Sequence, residues 1–578
     1  MSESKKIIGL MLEDISSDYS RVFIDNARKA IPEKRGVRLA VISGRYTDSD
    51  VPVDSRSYSE VYNTVFQLGE MCGLDGLIIH PGTLNAGKMA LLERTTRGVL
   101  RDIPKVIISG ALDGYTTISY DNTTGIREAI EFLVNVDGVT SICMLGGRED
   151  NYEANIRKNT YIECLRSHGI MFRPGMFEAT DMWTDCDDAA ERLLERNPDV
   201  RAIFCVNDSV AVGLYRVMER RGMVPGKDII VFGFDNTRMA ETMRPSLASV
   251  GADSATIGQR AVELLLAKMN GETVKSEMIR TKMYGRASFE YSAYEYSIQD
   301  LIKGDRDFIY RMFDDCFYRY RNDIIDREAV DLKRLYYEFI SRMLRAMNER
   351  YLSIEDFNDI GRLIDIFFDE GAMEYTDSEK LIQCVNRLQN AIAVAQRMHG
   401  VTINTYINRL FLRMKDKALS VVSDKCGNIT KHEIDVQVRM KEFLVRAGMA
   451  KGICGLFSHF GVLGIRNGAV YLFDEDVRYE PGKDADFPDH VQTICVMKNG
   501  ELYMMSEERG KCRLDEMLTR RDLSSRCSGY AVFPVFFRDI IFGVFVCELQ
   551  DDICARGELI AMELGRTIYL DRIPRQVS

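Results

Sequence analysis

Short apolar runs alternate with amphipathic stretches from Lys5 to about Val250. Continuous apolar runs are typical of strands that are buried on both faces, and they occur at 6–12, 37–42, 76–79, 105–108, 141–145, 202–206 and 229–234. Between them, as in 18–31 and 58–71, apolar residues recur at helical spacing, which predicts helices. Strands that alternate with helices form parallel sheets. The pattern therefore predicts an α/β region with parallel sheets.

The pattern changes between about Tyr291 and Asp424, where strand signals nearly vanish. Aromatic and aliphatic residues recur there at helical spacing, for example at Phe308, Met312 and Phe313. Breaks in this spacing fall near Asp305, Ser353, Gly371 and Gly400. We expect an all-α segment of several helices.

Strand signals return after about Thr430. Apolar runs at 468–473 and 492–497 precede the turn dipeptide Asn499-Gly500, which is a strong hairpin signal. A second hairpin is predicted over 530–546, and a helix from about Ala555 to Leu570. This part is expected to be an α+β module.

The net charge and the lengths of the apolar segments bear on the partners and the location of the protein. The chain of 578 residues carries a net charge of −11 and has no Lys/Arg-rich block, which argues against DNA as a partner. No segment reaches the ~20 apolar residues of a membrane span, and the N-terminus shows no signal peptide. We therefore expect a cytoplasmic protein.

Reactive motifs are missing from the sequence. Its 14 cysteines include no C-x-x-C pair and are expected to be free thiols in a reducing cytosol. The six histidines show no metal-ligand spacing. A P-loop, a dinucleotide-binding glycine motif, a zinc-protease motif and a nucleophile elbow are not found. We expect no catalysis, no cofactor and no metal.

Ordered motifs in the first half resemble the ligand-binding domains of LacI/GalR regulators, which are periplasmic-binding-protein-like. The matching stretches are 8–14, 75–81, 103–106, 121–125, 206–213, 231–236 and 244–250. The resemblance implies two lobes around a cleft that takes a sugar-like or nucleoside-like molecule. The regulators begin with a helix-turn-helix, whereas this chain starts at the first sensor strand, so we expect no DNA binding by that route.

The last part looks like a GAF-type domain, on the stretch 461–473 and the hairpin around Phe533 and Gly543. The layout is similar to the input halves of bacterial sensors with a diguanylate cyclase or an AraC-type regulator as output. Gly146 to Asp150 resembles a cyclase signature but follows a sensor strand, and we do not assign it catalysis. The resulting domains are 1–290 (ligand-binding, two lobes), 291–430 (helical connector or dimerisation segment) and 431–578 (GAF-like). The GAF-like module is expected to hold a second ligand or to serve only dimerisation.

Candidate ligand-binding residues follow from the resemblance. Recognition of a polyol needs paired donors and acceptors and an aromatic plane, and the matching positions are Asp14, Tyr19, Thr124, Arg157, Trp183, Asn207 and Asp235. Other interpretations stay open at several of them. Asn207 and Asp235 follow strands and are also placed to cap helices. Arg157 suits an ion pair with a surface carboxylate, and Trp183 suits the core. His80, in the matching stretch 75–81, is a further position, and it suits a structural role better than a ligand contact.

Three functions are considered. The first is a sensor, acting as a homodimer with a protein output partner, in which ligand favours closure of the lobes. The alternative is a transcriptional regulator of the LacI type, with a DNA-binding element unrecognised in 291–430 or an output element supplied by a partner. An enzyme is the third.

Overall fold

A computed structural model of the chain describes residues 6–13, 15–16, 18–31, 36–45, 53–80, 100–108, 112, 114–149, 151–252, 254–291, 298–318, 320, 331–349, 351–376, 378–399, 405–520, 523 and 529–572. These residues form two compact units. The first contains Met1–Asp121, Ser254–Arg280 and Glu433–Ser578, and the second contains Asn122–Asp253 and Thr281–His432.

Strands are interspersed with helices up to residue 284. In chain order they are β1 (Lys6–Glu13), α1 (Asp18–Lys29), β2 (Val37–Gly44), α2 (Val53–Tyr62), α3 (Val65–Glu70), β3 (Gly76–Ile79), β4 (Lys105–Ile108), β5 (Thr117–Tyr120), α4 (Thr124–Asn135), β6 (Ile142–Gly146), α5 (Tyr152–Ser167), β7 (Phe177–Ala179), α6 (Asp187–Arg196), β8 (Ala202–Cys205), α7 (Asp208–Arg220), β9 (Ile230–Phe234), α8 (Arg238–Thr242), β10 (Ala248–Gly251), α9 (Ser254–Met269), β11 (Glu277–Ile279) and β12 (Lys282–Tyr284).

Helices follow, and then an α+β part. The helices are α10 (Ile298–Lys303), α11 (Arg306–Cys316), α12 (Leu332–Glu349), α13 (Ile354–Asp369), α14 (Ser378–His399), α15 (Thr405–Met449) and α16 (Gly452–Phe457). The remaining elements are β13 (Gly468–Arg478), β14 (His490–Lys498), β15 (Glu501–Met504), α17 (Glu507–Gly510), β16 (Lys511–Arg513), β17 (Gly529–Phe537), β18 (Ile540–Glu548) and α18 (Asp551–Arg572).

The first unit is built on one sheet with the strand order β11-β5-β4-β3-β1-β2-β17-β18-β13-β14-β15, and β16 pairs with β14. Strands β1 to β5 pair in parallel, with Lys6 opposite Val37 in the central pair. Strands β13, β14, β15, β17 and β18 pair in antiparallel fashion. The predicted hairpin at Asn499-Gly500 is confirmed, because Lys498 pairs with Glu501 across it.

The parallel pairing of β17 with β2 joins the two ends of the chain. Leu39 pairs with Gly529 and Ile42 pairs with Val532. A free β2 edge would leave backbone N–H and C=O groups unpaired along an apolar strand, and β17 satisfies them. The strands of the predicted GAF-like module therefore continue the sheet of the predicted first lobe, although the domain boundaries at 290 and 430 stay predictions.

Side chains reinforce this junction within the first unit. Arg28 donates to the backbone oxygen of Leu549 at 3.2 Å. The side chain of Gln67 exchanges two hydrogen bonds with the backbone of Ala485. These polar contacts hold α1 and α3 against the C-terminal part of the same unit.

The second unit contains a sheet with the order β12-β10-β9-β8-β6-β7. All its pairings are parallel except that of β12 with β10. The carboxyl ends of β6, β7, β8 and β9 therefore lie along one edge. The prediction of α/β lobes with parallel sheets is confirmed.

Helices α10 to α15 enclose a separate apolar core, rich in aromatic rings such as Phe313, Phe317, Tyr336 and Phe367. It also holds a buried ion pair, in which Lys380 Nζ lies 3.1 Å from Asp315 Oδ1. None of the helices in the described ranges combines the length and apolarity that a bilayer crossing requires.

Candidate functional site

Arg157 is fixed at the carboxyl edge of the second unit's sheet. It projects from α5, whose first turn is capped by the Asn151 side chain, and its own side chain is 3% exposed. Its Nε donates to Asn122 Oδ1 at 2.8 Å and its Nη1 to the Val206 backbone oxygen at 2.7 Å. Two loop residues, one after β5 and one after β8, therefore hold the guanidinium that α5 supplies.

The third nitrogen of Arg157 faces Asp235, with Nη2 donating to Oδ1 at 3.4 Å. The guanidinium carbon lies 3.6 Å from the centroid of the Phe234 ring, a cation–π contact that further restricts the side chain. Arg157 itself is almost completely buried. Its Nη2 also lies 3.7 Å from Oε2 of Glu153, whose side chain is 31% exposed, so the alternative of an ion pair with a surface carboxylate stays open beside ligand contact. Asp235 retains 27% side-chain exposure.

Asp235 lies in an unusual turn after β9. Asp235 and Asn236 have φ angles of 98° and 50°, in a region that L-residues with side chains seldom occupy. The Asp235 amide donates to the Val250 oxygen at 2.8 Å, and the Asn236 amide donates to Ser249 Oγ at 3.0 Å. The surrounding structure thus imposes the turn that presents the Asp235 carboxyl.

Asp208 is a buried residue behind this turn that the sequence analysis did not select. Its Oδ2 accepts from the amide and the hydroxyl of Thr237, at 2.8 and 2.9 Å. Its Oδ1 accepts from the Ser249 hydroxyl at 2.6 Å. Burial, and secondarily the charge of Asp235, raises the pKa of Asp208 to about 7. Burial also raises the pKa of Asp235, against the opposing effect of Arg157.

Asn207 serves the fold in the way the helix-cap interpretation describes. Its Oδ1 accepts from the Val210 amide at the start of α7, and its Nδ2 donates to the Met182 oxygen, both at 2.9 Å. A ligand contact by Asn207 stays a prediction. The neighbouring Asp208 was overlooked because helix-start carboxylates are common, and no local signal marked its burial.

Trp183 follows Met182 at the same edge of the sheet and is 46% exposed. The interpretation of Trp183 as a core residue is therefore wrong. Thr124 begins α4 and is half-buried. A partly exposed indole beside a strand edge suits stacking on the apolar face of a sugar or on a base.

The remaining candidates belong to the first unit. Tyr19 Oη lies 2.9 Å from His80 Nε2, and the two rings meet edge to face with centroids 5.4 Å apart. Phe23 contacts the same imidazole, which agrees with a structural role for His80. Asp14 lies outside the described residues.

The second unit's edge brings together the buried guanidinium of Arg157, the partly exposed carboxylate of Asp235 and the exposed indole of Trp183. Ligands of open α/β sheets bind at the carboxyl ends of parallel strands. Among the residues with described positions, no group of three or more His, Cys, Asp or Glu side chains is arranged for a metal ion. The guanidinium, carboxylate and indole are groups that suit hydrogen bonding and stacking.

Residues 116–289 match the family model of the periplasmic binding protein-like domain. The matched range contains Arg157, Asp208 and Asp235, and it covers less than a third of the chain.

Curated relatives match mainly over the same region. The HTH-type transcriptional regulator CelR of Thermobifida fusca is 30% identical over 159 residues, covering 27% of this chain and 46% of the relative. The transcriptional repressor CytR of Escherichia coli K12 is 29% identical over 161 residues, covering 28% and 47%. Catabolite control protein A of Priestia megaterium is 27% identical over 283 residues, covering 48% and 80%. The chain thus spans about half the length of CelR and CytR.

Solved structures also align with about half of this chain. A complex of CelR with cellobiose has a TM-score of 0.41 at 21% identity, covering 49% of this chain and 86% of that chain. A lac repressor dimer bound to operator has a TM-score of 0.40 at 19% identity, covering 50% and 96%.

The comparisons support the resemblance of this region to LacI/GalR ligand-binding domains. They do not extend to a GAF-like domain or to a sensor/cyclase layout. The expectation that DNA is not a partner is not supported, since the similar proteins are named as transcriptional regulators. Those names agree with the expectation of a regulator without catalysis.

Proposed function

We propose that this chain is a regulatory protein that senses a small polyhydroxylated molecule of the sugar or nucleoside class. The observation that carries the proposal is the Arg157–Asp235 pair beside Phe234, within the region that matches a ligand-binding family. Asp235 and Trp183 add an acceptor and an aromatic face. Ligand-induced lobe closure is the proposed switching step.

The geometry of the pair suits selective recognition of hydroxyl groups. A guanidinium held by Asn122 and Val206 pays little conformational entropy when a ligand binds. The partly exposed Asp235 carboxylate can accept from two neighbouring hydroxyls. An analogue without those hydroxyls would leave buried polar groups unpaired, which is costly.

Control of transcription is the output that the comparisons favour, because CelR, CytR and catabolite control protein A carry names of regulators. A protein partner reached without DNA is the second candidate, favoured by the net charge of −11. A homodimer and a cytoplasmic location belong to the proposal in either case. DNA retention that falls steeply with salt would favour the first output, and retention equal to that of an acidic control protein would favour the second.

Thermal-shift screening of the full chain tests ligand sensing. The panel contains mono- and disaccharides including cellobiose, sugar phosphates, nucleosides and purines, and binding raises the melting temperature by mass action. A compound that stabilises the wild type should fail to stabilise Asp235→Ala.

The matched control is Glu163→Ala, which removes another arginine-paired carboxylate, here on the exposed surface of the same unit. It should respond like the wild type. A compound that stabilises Asp235→Ala as strongly as the wild type would place binding elsewhere. A folded chain that responds to nothing in the panel would contradict the proposed ligand class.

A further inference from the structure

The turn at Asp235–Asn236 is connected to the helical segment through one buried arginine. Arg286 is completely buried and follows β12. Its Nη2 donates to the side-chain oxygen of Asn236 at 2.6 Å, and its Nη1 donates to the Leu247 oxygen at 2.8 Å. The guanidinium is therefore anchored directly on the turn that presents Asp235.

The same nitrogen has two further neighbours. Glu241 Oε1 lies 3.5 Å from Nη2, and the Tyr318 hydroxyl also lies 3.5 Å from it. Three groups thus share one nitrogen of a buried cation. Because a buried cation is costly unless its partners stay in place, displacement of Asn236 must be followed by a rearrangement of Arg286 and its other neighbours.

Tyr318 carries this contact into the helical segment. Its ring meets Tyr284 of β12 edge to face, with centroids 4.8 Å apart. The preceding residue, Phe317, caps the end of α11 and packs on Phe313 and Phe367 with centroid distances of 4.8 and 5.1 Å. A shift at Tyr318 therefore acts on the aromatic core of α11, α12 and α13.

We propose that Arg286 relays the state of the Asp235–Asn236 turn to the helical segment through Tyr318. Ligand that reorients the turn would alter the contacts of Nη2, and the end of α11 would follow. The role of this relay as an output route rests on the proposed function. The mechanical coupling between the turn and α11 does not depend on that function. Arg286, Asn236 and Tyr318 are positioning residues in this account.

Hydrogen exchange of the full chain without ligand tests the coupling. Asn236→Gly removes the side chain that contacts Arg286 and suits a positive φ. We expect it to change amide exchange in residues 306–317 by about two- to thirtyfold, the range of coupling through packed networks. Tyr318→Phe should reciprocally change exchange in residues 232–240.

Two variants serve as matched controls in the same unit. Asn197→Ala removes an asparagine that hydrogen-bonds the Gly175 and Leu193 oxygens. Tyr310→Phe removes a hydroxyl on α11 that accepts a hydrogen bond from Arg306 Nη2 at 2.8 Å. Both should leave exchange at the distant segment at the wild-type rate. Neither test depends on Arg286 variants, whose complete burial endangers folding.

The relay is overturned if Asn236→Gly loosens its own turn while residues 306–317 exchange at the wild-type rate. It is also overturned if both controls change the distant segments as much as the test variants. When a compound found by thermal shift is bound, the amides of residues 306–317 in the wild type should become more protected from hydrogen exchange. In Tyr318→Phe this added protection should be smaller. If no compound binds but the ligand-free coupling is present, the relay stands and the proposed ligand sensing fails.

Discussion

Arg157 stacks on Phe234 with its guanidinium carbon 3.6 Å from the ring centroid, and Asp235 follows that ring directly in the chain. The Arg157 guanidinium therefore packs on Phe234, the residue that precedes its carboxylate partner Asp235. Asn122 and Val206 accept hydrogen bonds from Nε and Nη1 of Arg157, and these bonds hold the guanidinium in the orientation that faces Asp235. Such preorganisation favours affinity because less side-chain entropy is lost on binding.

Asp208 should hold the Asp235–Asn236 turn through hydrogen bonds rather than through charge. Asp208→Val leaves the Thr237 amide and hydroxyl without their acceptor and should lower the free energy of unfolding by about 1–3 kcal/mol for each buried group left unpaired. Asp208→Asn keeps an oxygen toward Thr237 and an amide toward Ser249, so it should lose much less. Urea denaturation of both variants checks this. Equal losses would show that the charge is what matters.

Stability should depend on pH through the same carboxyl. The pKa of Asp208 is raised in the folded protein to about 7 from 3.8, so the folded state binds more protons between these values. Linkage then makes stability fall as pH rises from about 4 to about 7, by up to about 1.4 kcal/mol for each unit of pKa difference.

Asp208→Asn removes this titratable group, so the difference in stability between the wild type and this variant isolates the effect of Asp208. Denaturation of both proteins at pH 5, 6, 7 and 8 should show the wild type losing stability relative to the variant as pH rises. A constant difference across the series would mean that Asp208 does not titrate in this range.

The C-terminal strands should be required for the first unit to fold. Without residues 433–578, the apolar β2 loses its pairing with β17 and exposes an edge that promotes aggregation. A chain of residues 1–432 should therefore be insoluble, or show exchange throughout residues 6–80. Adding the fragment 433–578 during refolding should restore solubility. A soluble, cooperatively melting truncation would show that the shared sheet is dispensable.

The buried pair Asp315–Lys380 should be costly to break from one side. Each side chain is 6% exposed, so Lys380→Met leaves an uncompensated carboxylate and should destabilise the chain by about 3–5 kcal/mol. The double variant Asp315→Leu/Lys380→Met should recover most of this loss. Arg362→Met breaks an exposed pair with Asp359 and should cost less than about 1 kcal/mol. Calorimetric melting separates these cases, and a double variant as unstable as the single one would contradict the argument.

The sequence reveals those parts of the structure that leave a local signal. Continuous apolar runs identified β1, β3 and β8, and Asn499-Gly500 identified its hairpin, because burial and turn chemistry are local properties. The pairing of β17 with β2 leaves no such signal, since an apolar strand does not specify its neighbour. Residues 291–430 show only helical periodicity, so the direction of their contacts, such as that of Tyr318 with Arg286, could not be foreseen.

In the candidate site, too, some residues could be predicted from the sequence and others could not. Arg157 and Asp235 were selected through the family resemblance, and they lie together. Asn122, Asp208 and Arg286 were missed, because their importance comes from burial and from partners far away in the chain. For Asn207 the sequence allowed both ligand contact and helix capping, and the structure shows the capping contact.

Fluorescence of Trp183 reports directly on ligand binding at the edge of the second unit's sheet. It is the single tryptophan of the chain and is half-exposed at the proposed binding edge. Titration of the full chain with the sugar, nucleoside and purine panel should produce a saturable change in its emission for at least one compound. Asp235→Ala should abolish that change and Glu163→Ala should preserve it. A folded protein whose emission responds to no compound, or whose response survives Asp235→Ala unchanged, would contradict ligand sensing at this edge.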